Sequence, residues 1–298
     1  MKKKIYINAW GGLGDVVLAT PLFQQLKLDF PDLKIMVLSP SRSRLDVLEN
    51  NPYIDKLILF SFYYDLLKYF RIIKVNGISY GKFRPSYTSK KKAQEVIGEM
   101  FGVTLKDKSI KLYVTAEEDR YAKKVLSEYK NPVILQITSR TTNNQMWPDE
   151  NWVELVRDMP DFTFIQLGTD NETKIEGAVD MRGKTNVRES IALVKHASSF
   201  VGVVSFLSHV TNAFRKPGVI LFGGVSSHLV WGHDNNINIT KLLTCSPCVD
   251  FMMGNKCPYD KPCMRMISVS EVQQAIYKQV PVEKESSLMD GRNEPVNR

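Results

Sequence analysis

The sequence predicts an α/β protein of two consecutive open, parallel-sheet domains with a cleft between them. Three observations carry this. Short apolar runs alternate with helical stretches from residue 4 onward, and strands apolar on both faces imply parallel sheets covered on both sides. The alternation starts afresh after Asn131-Pro132, which sets the expected domains at 1–131 and 132–280, with a polar, aperiodic tail over 281–298. A glycine-rich turn, Trp10-Gly11-Gly12-Leu13-Gly14-Asp15, joins the first strand to the first helix.

Lys4 to Asn8 reads as the first strand, and Val16 to Phe30 as one helix that ends at Pro31-Asp32. Ile35 to Leu38 is a buried strand. A short helix, Ser43 to Asn50, stops at Asn51-Pro52, and Leu57 to Phe60 is the next strand. Residues 61–92 differ: aromatics such as Tyr69, Phe70 and Phe83 are interleaved with Lys68, Arg71, Lys82 and Arg84. That pattern reads as an acceptor-binding segment, with cations for acidic groups and aromatics for sugar faces. It reads equally as an amphipathic helix with a solvated basic face, followed by a loop. It also suits single-stranded nucleic acid, but no nucleic-acid module accompanies it, so nucleic acid is not an expected partner.

Lys92 to Phe101 reads as a helix capped by Gly102, and Glu117 to Tyr129 as another. The second series has strands at 133–137, 162–167, 200–204 and 217–222, with helices at 189–197, 208–214 and 270–278. In open α/β sheets ligands lie outside the carboxyl ends of the strands. The loops at 11–15, 138–147, 168–172, 204–209 and 223–227 are therefore expected to line the cleft.

Composition bounds the rest. A hydrophobic content of 43% and a charged content of 24% over 298 residues describe a globular chain, and no apolar run reaches the roughly 20 residues of a membrane span. No secretory signal is visible, so the cytoplasm is the expected location, with peripheral contact at an inner membrane left open. A net charge of +8 favours anionic partners or simply aids solubility.

Two features carry chemistry. Asp15 is unusual in a turn that would otherwise cradle phosphate, because a carboxylate repels phosphate. It reads either as a group that acts itself or as an N-cap for the amides of Val17 or Leu18. The four cysteines are confined to Cys245, Cys248, Cys257 and Cys263. Four thiolates can enclose one tetrahedral zinc or iron with no position left for substrate, which makes a structural metal site the expectation. Reduced free thiols and disulfides are the alternatives.

Gly12-Leu13-Gly14-Asp15, Thr20-Pro21, Leu26-Lys27 and Asn51-Pro52-Tyr53-Ile54-Asp55 resemble the N-terminal half of the heptosyltransferase-like glycosyltransferases of family 9. Trp147-Pro148 through Trp152, Ser205-Phe206-Leu207-Ser208-His209 and Lys216-Pro217 through Phe222-Gly223 resemble the C-terminal half, and many members carry a similar cysteine block. The resemblance implies a GT-B fold, two Rossmann-like domains facing a cleft. It implies transfer of a heptose from ADP-heptose to an anionic saccharide such as a lipopolysaccharide core, with inversion and no cofactor required for chemistry. Asp15 then matches the general base, and Gly12 and Gly14 make room for the acceptor in the N-terminal domain. Arg140, Thr141, Gln145, Glu172, Thr185, Ser205, Phe206, Leu207, Ser208 and His209 fall on the donor side. Arg140 or Lys184 can supply a donor-site cation, Glu172 can bind a ribose diol, and His209 can instead pack or cap its helix.

Three positions depart from the family pattern. Gln145 stands where a lysine usually meets the donor phosphates, and Val204 and Phe206 replace an Asp and a Gly before the Leu207-Ser208-His209 segment. These departures place a different nucleotide sugar, or a scaffold that binds nucleotide or glycan without catalysis, beside the leading expectation. The cysteine block adds a protein acceptor, since some relatives with cysteine clusters modify proteins. Stabilisation by one nucleotide sugar together with its turnover separates enzyme from scaffold.

Overall fold

A computed structural model describes residues 3–9, 11–60, 75–78, 91–139, 142–224, 227–246, 248 and 257–281. The basic aromatic positions Lys68, Arg71, Lys82 and Arg84 lie outside the described residues, as do Arg140 and Thr141. In chain order the strands are β1 Lys4–Ala9, β2 Lys34–Ser39, β3 Lys56–Leu59, β4 Val75–Ile78, β5 Pro132–Gln136, β6 Thr163–Gln166, β7 Val179–Asp180, β8 Ser199–Val203, β9 Gly218–Phe222 and β10 Ile237–Thr240. The helices are α1 Leu13–Leu18, α2 Thr20–Asp29, α3 Arg42–Leu48, α4 Ala93–Met100, α5 Ala116–Leu126, α6 Asp149–Arg157, α7 Val187–His196, α8 Phe206–Ala213, α9 His228–Trp231, α10 Pro262–Arg265 and α11 Val269–Gln279.

Two parallel sheets result, ordered β3-β2-β1-β4 and β10-β9-β8-β5-β6-β7. Every residue of β8 and β9 is buried, as expected of strands covered on both faces. In each sheet the order reverses beside the strand that begins its series, between β1 and β4 and between β5 and β8. Such reversals open a crevice at the carboxyl ends of the strands. The turn after β1 and the turn after β8 are thereby placed at the two crevices.

The helix expected over 16–30 is two helices. Pro21 has no N–H for the Val17 carbonyl, and the Thr20 hydroxyl takes that carbonyl instead at 2.9 Å. Phe206 begins α8, two residues before the expected start, with Ser205 as its N-cap. Gly102 closes α4 as expected: at φ 71° it donates to Glu99, and Val103 donates to Gly98.

Several motif residues hold the fold. Asp55 accepts from Lys27 and Lys34 at 2.6 Å each and from the Ile35 amide at 2.9 Å, which clamps α2 to the start of β2. Burial works against its ionisation, yet these donors hold its carboxyl well below the usual carboxylate range. Trp147 and Trp152 pack edge to face at 4.7 Å in the core, and the Trp147 indole donates to the Ile267 carbonyl at 2.9 Å. Arg188, at the start of α7, reaches the other half of the chain. It forks onto Glu118 and donates to the carbonyls of Tyr113 at 2.6 Å and Asp46 at 3.1 Å. Among the described residues no helix is long and apolar enough to cross a membrane.

Candidate active site

The first wall is the turn after β1. Gly11 has φ 110°, and a Cβ there would sit 2.6 Å from an Asp15 carboxylate oxygen, so only glycine fits. Asp15 is the third residue of α1, not its N-cap. Its carboxylate reaches back to accept the N–H of Gly12, the residue that does cap the helix, at 2.7 Å. That geometry corrects the capping alternative: Val17 and Leu18 are not its partners. Asp15 is only 6% exposed. Burial pushes its carboxyl up to about 6, against the opposing pull of the Gly12 amide and the Arg44 charge. Arg44 of α3 donates from Nε to the Gly11 carbonyl at 2.6 Å.

Gly14 faces the other half of the chain. A Cβ there would lie 3.0 Å from the His209 ring and 3.8 Å from the Phe206 Cα. The glycine therefore lets α1 cross against the N-terminal end of α8, bringing the Asp15 turn and the turn after β8 into contact.

The second wall is that turn after β8. Ser205 donates its hydroxyl to Gln136 at the end of β5, across the crevice. Ser208 closes the helix cap: its hydroxyl accepts the Ser205 amide at 3.0 Å and donates to the Ser205 carbonyl at 2.7 Å. Leu207 is buried and Phe206 half-buried. No acid lies in the first turn of α8. His209 is 4% exposed and pairs through Nδ1 with His233 Nε2 at 2.8 Å. Burial, with His233 beside it, holds His209 well below its ordinary value, so the ring is neutral and packs under Gly14. His233 falls to about 3, from burial first and the Lys92 charge second.

The remaining positions expected on the donor side make local contacts. Gln145 is 1% exposed at the end of a tight turn over Asn143–Gln145, and its Oε1 has no protein partner. Thr142 accepts the Asn144 amide at 3.2 Å within that turn. Val204 is buried and apolar. Glu172 accepts the Thr169 amide at 2.7 Å, and its second oxygen is buried without a protein partner. Thr185 exchanges a 2.9 Å hydrogen bond with Ser190.

The cysteines gather at Gly224, just past β9. The Gly224 amide donates to the Cys263 sulfur at 3.2 Å, its carbonyl accepts the Cys248 amide at 2.8 Å, and a Cβ there would lie 2.9 Å from the Cys248 sulfur. Burial and the neighbouring Cys245, Cys263 and Cys257 sulfurs push the Cys248 thiol up to about 11. All four are free thiols, so the disulfide alternative does not hold. Among the described residues no three or more His, Cys, Asp or Glu side chains are arranged to hold a metal ion.

The sequence model of glycosyltransferase family 9 (heptosyltransferase) matches residues 89–257, more than half of the chain. The chain belongs to glycosyltransferase family 9. No curated protein matches it. Among solved structures, a family 9 glycosyltransferase from Veillonella parvula is 16% identical with a TM-score of 0.70, covering 94% of this chain and 98% of its own. The ADP-heptose lipopolysaccharide heptosyltransferase II of E. coli is 17% identical with a TM-score of 0.70, covering 93% and 98%. TibC from enterotoxigenic E. coli, described as an iron-containing dodecameric glycosyltransferase, is 17% identical with a TM-score of 0.71, covering 93% of this chain and 78% of its own. At such identity these likenesses show the fold, which is GT-B.

For this glycosyltransferase the structure adds three residues that sequence reasoning missed. Arg44, Gln136 and His233 meet Gly11, Ser205 and His209 across separations of 33, 69 and 24 residues. No local pattern marks such pairings. An arginine in a short surface helix and a glutamine ending a strand are ordinary in sequence.

Proposed function

We propose that this family 9 glycosyltransferase moves a heptose from ADP-heptose to a hydroxyl of an anionic saccharide, with inversion at the anomeric carbon. In this reading residues 1–131 bind the acceptor and residues 132–280 the nucleotide sugar. The acceptor oxygen forms a bond to the anomeric carbon as the bond to ADP breaks. The Asp15 carboxylate takes the hydroxyl proton, and the electron pair leaves with the diphosphate. The single observation that carries the reading is Asp15: a buried carboxyl, pushed to about 6, fixed at a strand-order reversal beside α8. A base with that value is ionised near neutral pH and stronger than an ordinary carboxylate.

The donor side is supported by the N-terminal end of α8, whose first-turn amides and acid-free turn suit a diphosphate. The unpartnered oxygen of Glu172 suits a ribose hydroxyl. The printed name of the E. coli relative supplies ADP-heptose as the first donor to try. No residue of this scheme calls for a cofactor in the chemistry. TibC is described as iron-containing, whereas in this chain the four cysteines are not arranged to hold a metal ion among the described residues.

Thermal melts with ADP, UDP and GDP, followed by product release from each matching sugar nucleotide, test the reading. Stabilisation by ADP with release of ADP from ADP-heptose is expected. A preference for UDP or GDP would replace the donor, and nucleotide binding without turnover would remove the proposed reaction.

A further inference from the structure

The Gly11 carbonyl and the Gly12 amide belong to one planar peptide group. Arg44 Nε donates to that carbonyl at 2.6 Å, and the amide donates to the Asp15 carboxylate at 2.7 Å. The guanidinium and the carboxylate thus grip opposite ends of a single peptide unit. Gly11, at φ 110°, is the residue that turns this unit toward the helix. We propose that Arg44 is a positioning residue for Asp15: it orients and polarises the Gly11–Gly12 peptide, and its fixed charge favours the ionised carboxylate.

Among the described residues, the surroundings leave this role to Arg44. Of the elements packed against α1, α3 brings Arg44, while its Arg42 is paired with Asp46 and Glu49. α8 brings His209, which is neutral. On α2, Lys27 is paired with Asp55, and Asp29 accepts from Gln25. On α4, Glu95 is paired with Lys108 and Glu99 with Lys91. Among the described residues, Arg44 is the cation whose field opposes the burial of Asp15.

The inference concerns the setting of Asp15, and only its kinetic consequence rests on the proposed base. Carbon-13 titration of aspartate-labelled, full-length protein reads the setting directly, with the Asp15 signal assigned by its loss in Asp15→Asn. Arg44→Gln keeps a donor for the Gly11 carbonyl but not the charge; Arg44→Lys keeps the charge. The Asp15 midpoint is expected to rise by about one unit in Arg44→Gln, a tenfold change in ionised fraction on the acid side, and to stay nearly in place in Arg44→Lys. Arg44→Met serves if Arg44→Gln does not fold. An unmoved midpoint in a folded, uncharged variant overturns the inference, because a merely structural arginine would lower activity equally at every pH. The acid limb of kcat/KM is expected to move with the midpoint. A moved midpoint with an unmoved limb would uphold Arg44 and remove Asp15 as the base.

Discussion

The turns after β1 and after β8 are built on one plan and used in opposite ways. Each leaves a parallel strand at a strand-order reversal and enters a helix. The first spends its helix N-terminus on its own carboxylate: Asp15 in the first turn of α1 takes the Gly12 amide. That acid offsets the positive end of the helix and would repel a phosphate. The second closes its cap with the neutral Ser208 hydroxyl on the Ser205 backbone and has no acid in its first turn. Its positive end stays available to an anion. One turn therefore suits proton transfer and the other a diphosphate, and Gly14 is what lets them touch.

The strongest way to break this contrast is at Asp15. Asp15→Asn is expected to fold and to lose about a thousandfold in transfer, measured as ADP release with acceptor present. Its stability gives an independent reading. Burial raises the folded-state carboxyl from 3.8 to about 6, so the native protein holds that proton more tightly folded than unfolded. The resulting stability is present below about 4 and lost as pH rises to about 6. Asp15→Asn cannot ionise, so urea melts should find it about 3 kcal/mol more stable than the native protein at pH 8 and level with it near pH 4.

Gly11→Ala should come next in size. Its Cβ meets Asp15 at 2.6 Å in a backbone conformation at φ 110°. About a hundredfold loss of kcat and about 2 kcal/mol of stability are expected, read by steady-state rates and thermal melts. Ser208→Ala tests the opposite wall and should be the mildest. Losing one neutral cap costs about 1 kcal/mol, seen as a lower Tm, with a modest rise in donor KM.

Much of the fold was legible because buried parallel strands are apolar throughout, as in Phe200 to Val203 and Val219 to Phe222. β10 was not, since Ile237–Thr240 is a half-buried edge strand whose polar residues break the run. Pro21 did signal the break between α1 and α2, but the continuous apolar face masked it. At the site, glycines and Asp15 stood out because strand-to-helix turns have local chemistry. The task of Gly14 did not, because its neighbour His209 comes from the other half of the chain.

The central claim is that Asp15 takes the acceptor proton, and the pH dependence of kcat/KM for sugar transfer tests it most directly. The account predicts an acid limb that falls as pH drops through about 6, and the absence of that limb from whatever activity Asp15→Asn retains. A fully active Asp15→Asn enzyme, or one with the native limb intact, would contradict it.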